Sequence, residues 1–287
     1  MTDMIAQNKF FTATCVMPGV TRITGLAMEC CYLVEGTRRA LLIDGLTGIG
    51  SLRSFVRELT ELPITVAITH AHMDHTGIAW ESDEILLHPN DLTLLKSEPE
   101  VTNKQRKEFV DLFMSWGIPS RTKPQIRDVI SPRPVWVRPI YDADVIDLGG
   151  VRIEVIAVPG HTRGSVVFLD RTHRIVYAGD ACNANTLLNL EGSTSIVEYK
   201  HSLEHWWAYE ENFDFLCSGH DQKMIPKKII LEGMNLCEQI LAGTDDAIET
   251  NDPFGGKSKR AGSTENGGLC TIVYKPETIF ETSSPQL

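Results

Sequence analysis

The sequence has no apolar run approaching the roughly 20 residues that span a bilayer. Its longest apolar stretches, such as Ala40–Ile43 and Ile64–Ile68, stop after a few positions, so a membrane helix is excluded. No basic-then-apolar leader opens the chain, and the seven cysteines form neither an even set nor a repeating framework. Reduced thiols and a cytoplasmic location are therefore expected. Basic residues are also scarce. The 27 lysines and arginines face 38 aspartates and glutamates, for a formal net charge of −11. Such a field repels nucleic-acid backbones unless a local basic patch overcomes it, so the expected partner is a small-molecule substrate. Internal repeats and low-complexity tracts are absent as well. What remains is ordinary globular composition, 42% hydrophobic and 23% charged, in a chain long enough to bury a full core without covalent staples.

Ala40 to Asp44 and Ile64 to Thr69 are short, apolar and β-branched, and they bracket a helical pattern with Leu52, Phe55, Val56 and Leu59 on one face. Between Val145 and Asp180 the pattern predicts three strands. Alternating Val151, Ile153, Val155 and Ala157 follow the Gly149-Gly150 turn, then come Val166–Leu169 and Ile175–Ala178. Helical spacing recurs near residues 89–118, from Ile196 to Glu211 and from Pro226 to Ala247. Asn251 to Gly268 has loop composition, and Leu269–Tyr274 reads as a late strand. Strand groups in both halves with helices interspersed predict an α+β fold, a four-layer αββα sandwich. One domain over residues 1–287 is expected, with a helical insertion near 89–118 and a C-terminal extension over 221–287.

The chemistry concentrates in Thr69-His70-Ala71-His72-Met73-Asp74-His75, where an apolar strand ends. Imidazole nitrogens and carboxylate oxygens are ordinary zinc ligands, and alternate residues of an extended segment, His70 and His72, can face one ion. Asp74 and His75 begin a turn toward a second. Three more candidates sit at the ends of expected strands, each directly after a glycine: His161, Asp180 and His220. Glycine there fits a backbone that leaves a strand sharply or closely approaches another segment. Any one of these residues alone reads as a cap or turn; the seven together read as a metal site.

These segments, with Gly160-His161-Thr162-Arg163-Gly164-Ser165, Gly179-Asp180 and Ser218-Gly219-His220 in the same order, resemble the metallo-β-lactamase superfamily over roughly Ala40 to His220. The resemblance implies the αββα fold with metals at one end of the paired sheets. It assigns His70, His72 and His161 to one ion, Asp74, His75 and His220 to the other, and Asp180 to both, with Asp44 as a supporting carboxylate. The cofactors it implies are two divalent ions, zinc first, with manganese or iron(II) as alternatives. The expected reaction is attack by a metal-bridged hydroxide on an ester, thioester or lactone, with Asp74 as ligand and proton acceptor. The Gly179-Asp180 feature resembles the bridging-aspartate branch that includes glyoxalase II and the lactonases. Two rival readings follow from the same superfamily. One is a persulfide dioxygenase-like oxidoreductase with a single iron on His70, His161 and Asp180; the other is a phosphodiesterase or nuclease.

Several other features read as structure. Asn183 and Asn185 fit turn chemistry. Lys200 and the Lys257, Lys259, Arg260 group fit solvated charge, and His201 with His205 an exposed helix face. Trp206 and Trp207 fit packing, Cys30 and Cys31 opposite faces of a strand, and His88 a structural position before Pro89.

Overall fold

The computed structural model describes residues 3–97, 102–118 and 122–280. Among them the first half of the chain builds an eight-stranded sheet in sequence order. Its strands are β1 (Met4–Gln7), β2 (Thr12–Met17), β3 (Val20–Thr24), β4 (Cys30–Glu35), β5 (Ala40–Ile43), β6 (Ile64–Ala67), β7 (Glu84–Leu87) and β8 (Trp136–Pro139). Pairing is antiparallel from β1 to β5 and parallel from β5 to β8. Parallel neighbours need a crossover. Between β5 and β6 it is α1 (Leu52–Leu59); between β7 and β8 it contains α2 (Leu92–Ser97) and α3 (Asn103–Ser115).

The second sheet begins with β9 (Val145–Asp147), β10 (Arg152–Ala157), β11 (Val166–Asp170) and β12 (Ile175–Gly179). The chain then leaves it through β13 (Thr186–Leu188) and α4 (Ile196–Trp207). It returns as β14 (Phe215–Ser218), parallel to β12, and β15 (Ile225–Pro226) at the edge. After α5 (Lys228–Ala242), strands β16 (Ile248–Asp252), β17 (Gly256–Ala261) and β18 (Ile272–Tyr274) join β13 in a third, four-stranded sheet.

Alternation along the strands sets the layers. On β4, Cys30, Tyr32 and Val34 enter a core shared with Ile153, Val155, Phe168 and Tyr177 of the second sheet, while Cys31 and Leu33 face Phe55 and Val56 of α1. On the second sheet, Val167, Leu169 and Val176 turn outward onto Tyr199, Leu203 and Trp206 of α4 and Ile229 and Ile230 of α5. The order is helix, sheet, sheet, helix, the αββα sandwich read from the sequence, with the small third sheet beside the outer helices of the second half. Cys30 and Cys31 take opposite faces as expected, and all seven cysteines are unpaired. Among the described residues no helix is long and apolar enough to cross a membrane.

Two segments differ from the sequence reading. The Val145–Asp180 region holds four strands, because Gly149 and Gly150, both at positive φ, turn a hairpin between β9 and β10. The stretch expected to be a loop from Asn251 is largely the β16–β17 hairpin. On β17 the buried Ser258 and Ala261 pack inward while Lys257 is exposed, so its polar composition hid a strand with one wet face. Residues 98–101 of the expected helical insertion and 281–287 of the expected C-terminal extension lie outside the described residues.

The two large sheets are also bonded together at one end. Cys30 N–H donates to the Gly219 carbonyl at 2.7 Å, Val166 N–H to that of Thr69 at 2.9 Å, and the Tyr32 hydroxyl to that of Ser218 at 2.8 Å. At this end β5 and β6 of one sheet and β10, β12 and β14 of the other present their carboxyl termini. That is where open α/β sheets place ligand sites. The fully buried Phe168 anchors the core between the sheets. Phe168→Ala should destabilise the protein by about 3–5 kcal/mol, read as a lower urea midpoint with an unchanged slope.

Candidate metal centre

Asp44, the first residue after β5, has φ +66°, a left-handed conformation that aspartate tolerates better than most residues. Its side chain holds it there. Oδ1 accepts the Thr69 N–H at 2.7 Å, the Thr69 hydroxyl donates at 2.9–3.0 Å, and Oδ2 accepts from His75 Nδ1 at 2.9 Å. One carboxylate thus joins the end of β5, the end of β6 and the far side of the His70–His75 turn. The turn itself is closed by His75 N–H to the His72 carbonyl at 3.0 Å and by the Thr76 hydroxyl to the same oxygen at 3.1 Å.

The three glycines before His161, Asp180 and His220 are required for close approach. A Cβ on Gly160 would lie 2.3 Å from the Tyr199 ring, and one on Gly179 2.3 Å from the Thr69 hydroxyl. One on Gly219 would lie 2.5 Å from both Asp180 Oδ1 and the His75 ring. Gly179 in addition has φ +49°. The backbone there must touch the groups it aims.

All seven residues singled out in the sequence converge. His70, His72 and His161 form one trio, and Asp74, His75 and His220 another, each with its donor atoms within 4.8 Å of one another. His70, His75 and Asp180 make a third overlapping trio. Asp180 spans the set, with Oδ1 3.7 Å from His75 Nε2 and Oδ2 3.8 Å from His161 Nε2 and 3.1 Å from His220 Nε2. Asp74 Oδ2 lies 3.4 Å from His220 Nε2. His72 Nδ1 and His161 Nε2 approach to 2.9 Å. The outer nitrogens are held from behind: His161 Nδ1 donates to the Leu187 carbonyl at 2.7 Å, His75 Nδ1 to Asp44, and His70 Nδ1 pairs with the Thr69 hydroxyl at 3.1 Å. Such partners fix the tautomer and aim the ligating nitrogen. His70 Nε2, His75 Nε2 and Asp180 Oδ1 are buried with no hydrogen-bond partner. Buried orphans of this kind are costly unless something binds them, and nitrogen and carboxylate donors in this geometry fit one or two divalent cations.

The protons divide the cluster in two. Burial, reinforced by neighbouring imidazoles, keeps His70 well below the usual histidine range and pushes His72 down to about 3; burial likewise lowers His161. These three are neutral and ready to donate lone pairs. Burial works against charge on His75 and His220 too, but Asp44, Asp74 and Asp180 around the first and Asp180 and Asp74 around the second hold both well above the usual range. In return, burial that would raise the carboxyls is outweighed by those imidazoles, leaving Asp74 at about 2 and Asp180 well below the ordinary value.

Sequence reasoning found Asp44 but missed two other supports. Asp91, buried at the end of a short 3-10 turn after Pro89, accepts the Ala71 N–H at 2.8 Å, the Thr162 hydroxyl at 2.8 Å and the Gly164 N–H at 2.7 Å. It staples the first histidine loop to the His161 loop, and no local pattern separates it from an ordinary turn aspartate. Buried Glu29 accepts from Ala27 N–H and from the Thr47 hydroxyl, both at 2.8 Å, with burial raising its pKa. Most residues read as structural lie outside the cluster, although Asn183 and Asn185 line the cavity beside it. Lys200 pairs with Glu204 and Glu238, His205 with Asp142, and His88 Nδ1 accepts the Asn90 N–H. Asn183 Oδ1 accepts the Asn185 N–H at 3.0 Å, closing a turn. Trp206 is fully buried.

Comparison with known proteins agrees with this geometry. A family model described as the metallo-beta-lactamase superfamily matches residues 27–213. The acyl-coenzyme A thioesterase MBLAC2 of Gallus gallus is 28% identical over 208 residues, which cover 65% of this chain and 64% of that protein. The hydroxyacylglutathione hydrolase GloC of Haemophilus influenzae is 23% identical over 172 residues, covering 55% and 68% respectively. Among solved structures, a metallo-beta-lactamase family protein from Thermus thermophilus superposes with a TM-score of 0.54 at 20% identity, over 80% of this chain and 82% of its own.

Asp91→Ala removes the acceptor of three buried donors. It should lower stability by roughly 2–4 kcal/mol, measured by urea unfolding of the metal-free protein. Asp91→Asn, which turns an amide toward some of those donors, should recover only part of the loss.

Proposed function

Because the chain belongs to the metallo-β-lactamase superfamily, we propose that it is a metal-dependent hydrolase of a small-molecule ester, thioester or lactone. The observation that carries this reading is the convergence of seven imidazole and carboxylate side chains whose buried inner atoms, His70 Nε2, His75 Nε2 and Asp180 Oδ1 among them, have no other partner. The names of the relatives point the same way, one an acyl-coenzyme A thioesterase and the other a hydroxyacylglutathione hydrolase. In this reading His70, His72 and His161 hold one divalent ion, Asp74, His75 and His220 a second, and Asp180 touches both. Zinc is the first choice for this donor set, with manganese or iron(II) able to take its place. Two such ions would bring the pKa of a shared water toward neutrality and polarise the acyl oxygen.

The chain's own residues do the rest. Asp74, ionised and facing the cluster, holds the attacking water and takes its proton. As the new bond forms from water oxygen to acyl carbon, the bond from that carbon to sulfur or oxygen breaks. The departing thiol or alcohol leaves with a proton, and the other product is the carboxylate. The buried walls around His70, His75 and His161 strengthen every electrostatic contact with the developing oxyanion. A single iron on His70, His161 and Asp180 would leave His75 Nε2 a buried orphan beside Asp74 and His220, which favours the two-ion reading over the dioxygenase. Ligands drawn from both sheets and a shared inter-sheet core support one domain over residues 1–287, with the α2–α3 segment inserted and residues 221–287 appended.

Protein purified without added metal should carry about two zinc, manganese or iron ions per chain by mass spectrometry, and Asp180→Ala should lose at least one. Asp44→Asn, which keeps the shape but not the charge behind His75, should weaken metal binding by about 10–100-fold. His75 and His220 carry protons in the metal-free site, so metal must displace them. Zinc uptake should therefore release protons and tighten as the pH rises across the neutral range, measured by calorimetry in buffers of different ionisation enthalpy. A metal-loaded protein that hydrolyses no ester, thioester or lactone would sink the hydrolase reading.

A further inference from the structure

Beside the cluster opens a cavity of about 640 Å³, within the usual range of small-molecule sites. Its roof comes from two segments far apart in the chain. From α3 and its C-terminal end come Phe109, Phe113 and Trp116; from the tip of the β16–β17 hairpin comes Phe254. Ring centroids lie 5.7 Å apart for Phe109 and Phe254, 6.3 Å for Phe113 and Phe254, and 5.0 Å for Phe113 and Trp116. The Phe113 ring also stacks on His220 at 6.5 Å and 14°, so the aromatic wall is continuous with the donor cluster. Trp116 is 52% exposed and Phe254 45% exposed. Large aromatic surface gathered at the mouth of a cavity, rather than scattered over the protein, marks a binding site.

Resting on the hydrolase reading, we propose that this wall is the acyl-chain pocket, and that the enzyme selects substrates whose acyl group is a medium-length apolar chain lying between Phe113, Trp116 and Phe254. Met28, Met73, Leu187 and Leu190 line the same space and extend its apolar surface. The other charged groups of the lining set what is kept out. Glu191, Asp221 and Asp252 line the cavity, and among its described lining residues there is no lysine or arginine. The enclosed part of the substrate is therefore the uncharged chain, with any anionic leaving group directed to solvent. Phe113 couples the two regions: one edge of the ring meets the chain while its face meets His220, so a filled pocket sets the carbonyl against the cluster. Phe254 and Trp116 determine specificity; they touch no reacting atom.

The test is a series of p-nitrophenyl esters, acetyl to octanoyl, on the metal-loaded protein and its Phe254→Ala and Trp116→Ala variants. Calorimetry of butanoate and octanoate binding to the same three proteins accompanies it. Each methylene taken fully from water is worth about fourfold. The octanoyl ester should exceed the butanoyl ester in kcat/KM by at least about tenfold, mostly through KM, and octanoate should bind tighter than butanoate by a similar factor. Either variant should shrink both ratios about fivefold or more. Equal kcat/KM for the two esters, or ratios unchanged in the variants, would overturn the pocket while leaving the hydrolase reading intact. If no ester is turned over, the hydrolase reading is decided on thioesters and lactones, and the pocket by calorimetry alone: chain-length preference lost in Phe254→Ala upholds it, and equal binding of the two acids refutes it.

Discussion

Everything at the donor-bearing end of this fold hangs on the carboxylate of Asp44. It sits in a backbone conformation that costs free energy, and it is kept there by bonds to Thr69 and His75. Strain of this kind persists only where the surroundings over-determine it. The parallel pairing of β5 with β6 brings the two strand ends side by side, and Asp44 converts that adjacency into a fixed angle for one imidazole. A hydrophobic residue at the same place would leave the Thr69 N–H and His75 Nδ1 buried without acceptors. The second sheet is then registered against the first by backbone bonds through Gly219 and Thr69, so the donors of both halves meet.

Burying three carboxylates and five imidazoles in one place is eased by opposite charges set side by side. Asp74 and Asp180, held well below the ordinary carboxylate range, face His75 and His220, held well above the usual histidine range, while burial keeps His70, His72 and His161 neutral. The metal-free protein is in this sense already an ion-pair network in the shape of a metal site. The protons occupy the side where His75 and His220 meet the carboxylates, and leave His70, His72 and His161 as a neutral side.

The donor set was legible in the sequence because chemistry requires particular residue types at strand ends: His-x-His-x-Asp-His after an apolar run, and glycine before each of the three remaining donors. Those glycines were legible for a physical reason too, since the contacts at Gly160, Gly179 and Gly219 leave no room for a side chain. The layered fold followed from period-two alternation. Asp91 was not legible, because its three partners come from loops about 20 and 70 residues away by number, and only the folded chain brings them together. The β16–β17 hairpin was hidden for a different reason. A strand on a small sheet with one face in water carries the lysines and glycines of a loop, and Phe254 at its tip gave no periodic signal. What was read well was decided by local chemistry; what was missed was decided by distant contacts or masked by a polar face.

Neither α3 nor the β16–β17 hairpin belongs to either large sheet, yet together they roof the cluster. The part of the molecule that fixes the donors and the part that covers them are thus built from separate stretches of chain, meeting through a few aromatic rings. The donors are fixed by one scaffold and covered by another, so the roof and the registry of the strand ends are separate inheritances of one chain.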